Sequence, residues 1–203
     1  MKPILVPSFG CSTDLARALS DAAPAPDSIV VRDLYDLPDV PLERFGSLLI
    51  SMHCDQRFLA GRAGQIAAFL DGGGTVVANG HFAYPFLPDM TGFRAIPGFR
   101  LEDIAVLRVT EHPIWEGVST DDLTFRRGVA GFYARVWHPA PTGAQVIHAL
   151  GRSDRPVDFL YPVGRGRILF HGGNDLWQFG GDCSTARIVP QLLRWLDREE
   201  GAR

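Results

Sequence analysis

Imidazole, amide, carboxylate and thiol side chains recur directly after apolar runs of this sequence. The residues concerned are His53, Cys54, Asp55, Asn79, His81, His171, Asn174 and Asp175. The chain contains six histidines, and half of them stand at these positions. If the runs are parallel strands, their carboxyl ends meet at one edge of the sheet, where open α/β sheets bind ligands. The pattern therefore predicts that His53, Asn79, His81, His171 and Asn174 converge on one polar pocket.

Two kinds of chemistry fit these residues. The first is binding of a small polar molecule by hydrogen bonds, and the residues that we assign to it are His53, Asp55, Asn79, Asn174 and Asp175. The second is catalysis, in which His81 and His171 transfer protons or, with an aspartate, hold a divalent metal ion that activates water. His171 would then need an acceptor for its second ring nitrogen. Asp175 is the nearest carboxylate along the chain.

No fixed spacing of metal ligands supports the metal, so we expect a site without a cofactor and keep a divalent metal as the alternative. Cys54 is a candidate nucleophile, because a thiol beside an imidazole can form a thiolate. Neighbouring side chains of a strand point to opposite faces, so His81 is a better partner for Cys54 than His53. A buried structural thiol is the other interpretation of Cys54. Cys11, near a predicted helix start, is a further candidate.

The elements that must position these groups alternate between strands and helices in the first half of the chain. Apolar runs predict strands over residues 3–8, 29–31, 47–51 and 75–78, and helical patterns cover residues 13–22 and 57–70. In the second of these helices, apolar residues recur at spacings of three and four. Continuous apolar strands between helices indicate a parallel sheet that is covered on both faces.

The pattern changes after residue 104, where strand-like segments are separated by turns, among them one over residues 129–136. Residues 157–161 and 167–170 flank Gly164-Arg165-Gly166 and predict a hairpin. A helix over residues 184–198 follows, and Pro190 should kink it or delay its start. We therefore expect a single domain over residues 1–203. Its class is α/β: a doubly wound, mostly parallel sheet with a β-rich second half and a C-terminal helix.

Composition narrows the possible partners. The formal net charge of −3 lacks the positive excess that nucleic-acid binding requires. No apolar run reaches the 18 residues of a membrane span, and the first residues do not form a signal peptide. The three cysteines show no CxxC spacing, which excludes a disulfide framework or a structural zinc site. We expect a bacterial, cytoplasmic protein that contacts neither nucleic acid nor membrane.

Three segments resemble class I glutamine amidotransferase-like domains, and in particular their trehalose-utilisation-type branch. One runs from the strand LLI at residues 48–50, through a helix, to GGGTVVANGH at residues 72–81. The second is HPIWEGV at residues 112–118, and the third is GRGRILFH at residues 164–171. Together they extend the resemblance over residues 3–198. It implies a flavodoxin-like fold.

The chain departs from this family at two catalytic positions. The resemblance places the family's nucleophilic cysteine at Ala78, and it places the acid that follows the catalytic histidine, here His171, at Gly173. Without a thiolate there is no acyl-enzyme route, so we predict no glutaminase activity. What remains is a protein that binds a small polar ligand, with carbohydrate as one candidate, as an accessory subunit or a homo-oligomer. The alternative is a hydrolase or isomerase that uses the His/Asp site or Cys54.

Overall fold

The computed structural model describes residues 2–9, 19, 28–98, 100–126, 128–179 and 183–201. The strands are β1 (Ile4–Ser8), β2 (Ile29–Asp33), β3 (Ser47–Ile50), β4 (Thr75–Asn79), β5 (Arg94–Ala95), β6 (Val106–Arg108), β7 (Phe125–Arg126), β8 (Val129–Ala130), β9 (Val136–Trp137), β10 (Gln145–Leu150), β11 (Pro156–Val163) and β12 (Gly166–His171). The α-helices are α1 (Gln56–Ala60), α2 (Ala63–Asp71), α3 (Thr120–Thr124) and α4 (Ile188–Gly201). Short 3-10 helices are Leu34–Asp39, Leu42–Arg44, Glu102–Ile104, Pro113–Trp115, Leu176–Gln178 and Ser184–Arg187.

Eight of these strands form one mixed sheet in the order β2-β1-β3-β4-β12-β11-β10-β6. Neighbouring strands from β2 to β12 are parallel, and those from β12 to β6 are antiparallel. The parallel part has the strand order of flavodoxin-like sheets. The α/β class, the mostly parallel sheet, the β-rich second half and the C-terminal helix are thus confirmed.

Both faces of the sheet are covered, as the continuous apolar strands predict. One face packs against α4 and the 3-10 helix Pro113–Trp115, and its buried residues include Val6, Leu49, Val77, Leu169, Trp115, Leu192 and Trp195. The other face packs against α2, and its buried residues include Leu5, Leu48, Val76, Ile168, Ile66, Phe69 and Leu70. Burial of each such large side chain contributes about 1.5–3 kcal/mol. The described helices include none that is long and apolar enough to cross a membrane.

Two predicted helices differ in their limits from the observed ones. The single helix expected over residues 57–70 is divided, because α1 ends at Ala60 and α2 begins only after Arg62. Gly61 lies at the break, where its low helix propensity favours an interruption. In the C-terminal helix, Pro190 occupies the first turn of α4, where its missing N–H removes no hydrogen bond. The start is delayed by a 3-10 turn. Of the helix predicted over residues 13–22, only Leu19 is described, and it is helical and buried.

The predicted hairpin is confirmed as the antiparallel pair β11–β12, in which Val163 faces Gly166. The strand predicted over residues 129–136 is formed only at its ends, as β8 and β9. Tyr133 lies in the segment between them and is buried. The register of the sheet aligns Asp158 with His171 on one side and with His148 on the other. Residues that face each other across antiparallel strands lie close together, so this register prepares the site.

Candidate functional site

The carboxylate of Asp158 is the centre of a hydrogen-bond network in the core. Its Oδ1 accepts from His171 Nδ1 at 2.6 Å, and its Oδ2 accepts from His148 Nδ1 at 2.7 Å and from the Tyr133 hydroxyl at 2.5 Å. All four residues are buried. Burial alone raises the pKa of Asp158, but the charge of His171 and the hydrogen bonds from both histidines outweigh it and hold that pKa well below its usual range. Asp158 is therefore ionised at neutral pH.

The network fixes the tautomers of its histidines. Arg108 Nε donates to His148 Nε2 at 3.3 Å, so the proton of His148 is on Nδ1, which faces Asp158. His171 also directs Nδ1 at Asp158, and a carboxylate can only accept. Neutral His171 therefore carries its proton on Nδ1 and has a lone pair on Nε2. An acceptor that fixes one ring nitrogen in this way determines what the other can do.

Three imidazoles near this network have a buried nitrogen without a hydrogen-bond partner among the described residues. The atoms are His81 Nε2, His138 Nδ1 and His171 Nε2, and we call these residues the histidine group. Two members border the turn that follows β12. A methyl group added to Gly172 would lie 3.1 Å from His138 Nδ1, and one added to Gly173 would lie 2.9 Å from His171 Nε2.

The imidazoles of the histidine group influence one another electrostatically. Burial lowers the pKa of His138 to about 3, and the charges of His81 and His171 add to the effect. Burial, with the charge of His171, also lowers the pKa of His81, against a hydrogen bond to the Gly172 backbone. His81 and His138 are therefore neutral at neutral pH.

The polar residues around Asp175 form a second cluster at the same edge of the sheet, but their atoms are already paired. Asp175 is buried, and its carboxylate accepts from Ser51 Oγ at 2.7 Å and from the Met52 backbone N–H at 2.6 Å. The Asn79 side chain donates to Ile50 O and accepts from Leu176 N–H. Burial raises the pKa of Asp175, and these hydrogen bonds oppose the shift. We call Ser51, Asn79 and Asp175 the Asp175 group.

The structure corrects the expected partner of His171. The acceptor for its Nδ1 is Asp158 on the neighbouring strand, whereas Asp175, the nearest carboxylate along the chain, bonds to Ser51 and Met52. The physical reason is the register, since β11 runs antiparallel to β12 and places Asp158 opposite His171. Sequence proximity could not reveal this pairing, because the two residues approach only through the hairpin.

The remaining predicted ligand-binding residues have other partners or lie at the rim. Asp55 caps α1 by accepting from the Arg57 and Phe58 backbone N–H groups, and it also accepts from the Tyr35 hydroxyl. These hydrogen bonds, chiefly that from Phe58, lower its pKa. Asn174 donates to Phe132 O at 2.7 Å. His53 is exposed to solvent.

Cys54 lies in surroundings that disfavour a nucleophilic thiolate. Burial raises the pKa of its thiol to about 12, and the charges of Asp175 and Asp55 contribute to the increase. The thiol is therefore protonated at neutral pH, whereas a nucleophilic cysteine needs a lowered pKa. Among the described residues, no hydrogen bond joins this thiol to His81 or to another imidazole. Cys11, the other cysteine considered, lies outside the described residues.

No grouping of three His, Cys, Asp or Glu side chains suited to a metal ion occurs in the part of the chain that the structure describes. The metal ligands expected from sequence, namely His53, His81 and His171 with an aspartate, thus do not form such a grouping among the described residues. His53 is exposed. Asp175 accepts hydrogen bonds from Ser51 and Met52, and Asp158 accepts one from His171 Nδ1. What the arrangement offers is a set of hydrogen-bonding imidazoles.

Four residues of the site were not predicted from the sequence. They are Tyr133, His138, His148 and Asp158. Two of them carried a signal, because Asp158 and His148 interrupt the apolar runs VDFLY at residues 157–161 and VIHAL at residues 146–150. A charge or imidazole inside a buried strand is costly unless it is paired, so each needed a partner. Tyr133 and His138 lie in an irregular segment that has no comparable pattern.

Comparison with known proteins gives fold relatives only. No protein-family model matches the chain. No curated protein matches its sequence. Cytoplasmic protein STM3548 from Salmonella typhimurium superposes with a TM-score of 0.61 at 14% identity, covering 96% of this chain and 98% of that one. Cytoplasmic protein STM1381 from Salmonella typhimurium LT2 gives 0.57 at 10% identity, covering 99% of both chains.

A β-galactosidase from Bacillus circulans sp. alkalophilus is also similar, with a TM-score of 0.55 at 14% identity. The match covers 98% of this chain but 31% of the enzyme, so this chain corresponds to under a third of that protein. At such identities the likeness establishes a shared fold and leaves function to the site.

Proposed function

We propose that the protein binds a small polar molecule at the carboxyl ends of β4 and β12, through His81, His138 and His171. The observation that carries this proposal is the set of three buried ring nitrogens that lack partners among the described residues. A buried polar atom without a hydrogen bond costs about 1–3 kcal/mol. A ligand that bonds to several such atoms recovers that free energy, so the histidine group is predisposed to bind one.

We further propose that this is a divergent glutamine amidotransferase-like protein, a single domain over residues 1–203, without glutaminase activity. Ala78 is fully buried in β4 and has no nucleophilic atom. Gly173 cannot be replaced by the family's acid, because a Cβ there would lie 1.8 Å from Tyr133 O. Cys54 does not compensate, since its thiol is protonated at neutral pH.

Carbohydrate is the ligand class that we favour. A part of one β-galactosidase, 31% of its chain, has a similar fold. The histidine group also has an aromatic neighbour in Phe93, whose ring centre lies 6.1 Å from that of His81. Phe93 is 39% exposed, so one side of its ring is free to stack on a sugar. The protein would bind this ligand as an accessory subunit or as a homo-oligomer.

A second candidate is proton-transfer catalysis, as in an isomerase or a hydrolase. The observation that favours it is the pair formed by Asp158 and His171. A carboxylate that orients one imidazole nitrogen leaves the other as a positioned general base. His171 would then be the catalytic base and Asp158 its positioning residue.

The binding proposal is tested by ligand-induced stabilisation. The melting temperature is measured with a panel of neutral sugars, polyols, amino acids and carboxylic acids, for the wild type, His81→Phe and the exposed-site control His53→Ala. We expect one chemical class to stabilise the wild type and His53→Ala, but not His81→Phe. Equal stabilisation of all three proteins would refute the assignment of the site. Ammonia release from glutamine should be absent throughout.

The catalytic candidate is separated from pure binding by isotope exchange. The bound compound is incubated with the protein in D₂O, and loss of its carbon-bound protons is followed by NMR. Exchange that disappears in His171→Gln, while binding persists, would favour the enzyme. Binding without exchange or turnover would favour the binding protein.

A further inference from the structure

We propose that the histidine group recognises a hydroxyl group of an uncharged ligand, with His138 as the hydrogen-bond donor and His171 as the acceptor. This inference rests on the proposed function and specifies the chemistry of its ligand. It follows from the protein groups that occupy the opposite nitrogen of each ring.

The first step concerns His138. Its Nε2 lies 3.1 Å from the Phe82 backbone N–H, which can only donate. Nε2 must therefore accept with its lone pair, and the proton of the neutral ring is on Nδ1. His138 is fully buried, so its Nδ1–H is a fixed donor that no described residue accepts.

The second step concerns His171, whose geometry is the reverse. Asp158 accepts from His171 Nδ1, so the neutral ring presents the lone pair of Nε2. His171 is also fully buried, and its Nε2 is an acceptor without a donor among the described residues. With His171 in its neutral form, the site thus offers one donor and one acceptor whose roles are set by different parts of the fold.

The third step is the placement of the two atoms along the turn after β12. His138 Nδ1 borders Gly172 and His171 Nε2 borders Gly173, at the distances given above. The turn is held by hydrogen bonds from Gly172 N–H to Val157 O and from Asn174 N–H to Tyr133 O. Neither glycine places a side chain against these nitrogens. His81, the third member of the histidine group, is partly exposed.

A hydroxyl group matches this pattern because it donates and accepts at once. Carboxylate and phosphate oxygens accept only, and they would meet the ionised Asp158 and the buried Asp175, both close enough to His171 for mutual electrostatic effects. A metal ion needs lone pairs on its ligands, and His138 Nδ1 carries a proton. The geometry therefore selects a neutral alcohol over an anion or a cation.

The tautomers are tested first, by ¹⁵N-edited NMR of the histidine rings in the wild-type protein at neutral pH. We expect His138 to carry its proton on Nδ1, and neutral His171 to do the same. A proton on His138 Nε2, or one bound to Nε2 of neutral His171, would overturn the inference. It would leave the proposed binding site itself unaffected.

Ligand selectivity is tested next, with D-galactose, acetate and inorganic phosphate as probes of the same resonances. We expect D-galactose to shift His138 Nδ1 and His171 Nε2, and acetate and phosphate to leave them unchanged. Shifts caused by an anion and not by D-galactose would refute hydroxyl recognition but retain a polar-ligand site. No shift with any probe would refute the hydroxyl inference and count against the proposed function as well.

Two variants of His138 provide the matched comparison. His138→Gln keeps an acceptor for Phe82 N–H and a donor toward the ligand, whereas His138→Phe removes both. We expect His138→Phe to weaken D-galactose binding by at least about tenfold, the loss of one hydrogen bond, and His138→Gln to retain most of the affinity. If His138→Phe does not fold, loss of binding in a folded His138→Gln protein would still contradict the inference. Equal affinities of the wild type and a folded His138→Phe would contradict it too.

Discussion

The histidine group and the Asp175 group occupy the same edge of the sheet, yet they differ in what their atoms have left to bind. Ser51, Asn79 and Asp175 join β3, β4 and the segment after β12 through hydrogen bonds with one another or with the backbone. The histidine group retains three nitrogens without partners among the described residues. A polar residue at a strand end therefore indicates a ligand site only if its hydrogen-bonding capacity is unused.

The difference has a topological origin. The Asp175 group is built within the parallel half of the sheet, where neighbouring strand ends satisfy each other. The histidine group also depends on the antiparallel half, which supplies Asp158, and on the irregular segment before β10, which supplies His138. The Phe82 backbone fixes one ring nitrogen of His138, and Asp158 fixes one ring nitrogen of His171. The second nitrogen of each ring has no partner among the described residues.

The largest expected effect is the loss of the carboxylate that anchors the histidine group. Asp158→Asn should destabilise the protein by about 3–5 kcal/mol, because it removes the charge from a buried network of two histidines and a tyrosine. The free energy of unfolding is measured in urea. As a control, the exposed Asp154→Asn, which loses only an exposed ion pair with Arg152, should change it by less than about 0.5 kcal/mol. A loss below about 1 kcal/mol for Asp158→Asn would show that the network does not hold the site together.

The next effect is a loss of stability in mild acid. The pKa values of His138 and His112 are about 3 and about 4 in the folded protein, chiefly because of burial, and that of an unfolded histidine is about 6.5. Because each imidazole is neutral in the folded protein, its full contribution to the free energy of unfolding is present above the pKa of the unfolded state. This contribution declines as the pH falls toward the pKa of the folded state. Between about pH 6.5 and pH 5, each of the two histidines should lower the free energy of unfolding by about 2 kcal/mol.

Urea unfolding between about pH 6.5 and pH 5 tests whether stability falls with pH and whether His138 is responsible. His138→Phe should lose the His138 part of the pH dependence and keep the His112 part. Since the comparison is made with the wild type, the opposite contribution of Asp175, whose pKa is raised, cancels. An unchanged pH dependence in this variant would contradict a neutral, buried His138.

A third prediction separates the two groups directly. Asp175→Asn should lower the free energy of unfolding by about 1–3 kcal/mol, because it disturbs paired buried groups, and should preserve ligand-induced stabilisation. His81→Phe should change stability by less than about 1 kcal/mol and abolish that stabilisation. The reverse pattern would transfer the ligand site to the Asp175 group.

The smallest functional effect is expected at Cys54. With Cys11 replaced by Ser in every protein, iodoacetamide should modify Cys54 at neutral pH on the order of 10³-fold more slowly than a free thiol, because the raised pKa suppresses the thiolate. The exposed Cys183 serves as the internal reference. Cys54→Ser should leave ligand binding unchanged. Rapid alkylation of Cys54, together with loss of ligand-induced stabilisation, would restore it as a candidate nucleophile.

The sequence was sufficient for the fold because strand positions follow from local apolar runs. β1, β3, β4 and the hairpin β11–β12 were predicted near their observed limits, and the parallel arrangement followed from the alternation of strands with helices. The flavodoxin-like fold was implied by the family resemblance. The prediction failed where a local pattern was overridden, as at Gly61, which divides a regular helical periodicity, and around Tyr133, where a strand-like segment is irregular.

The site was less predictable because its pairings are long-range. His81 and His171 follow the neighbouring parallel strands β4 and β12. The partner of His171 is set by the register of β11, and the role of His138 by the Phe82 backbone. Sequence proximity favoured Asp175 instead. That the eight residues named from the sequence form a functional site stays a prediction. Of these eight, the proposed ligand site keeps His81 and His171, and it adds His138.

The most direct test of the histidine group is a crystal structure of the protein with D-galactose, at a resolution that resolves ordered water. We expect an oxygen atom of the ligand, or of a water that it displaces in the ligand-free crystal, at about 2.7–3.2 Å from both His138 Nδ1 and His171 Nε2. The rings should keep their hydrogen bonds to Phe82 and Asp158. If these nitrogens are instead bonded to protein groups, and D-galactose lies elsewhere or is absent, the account of this site is wrong.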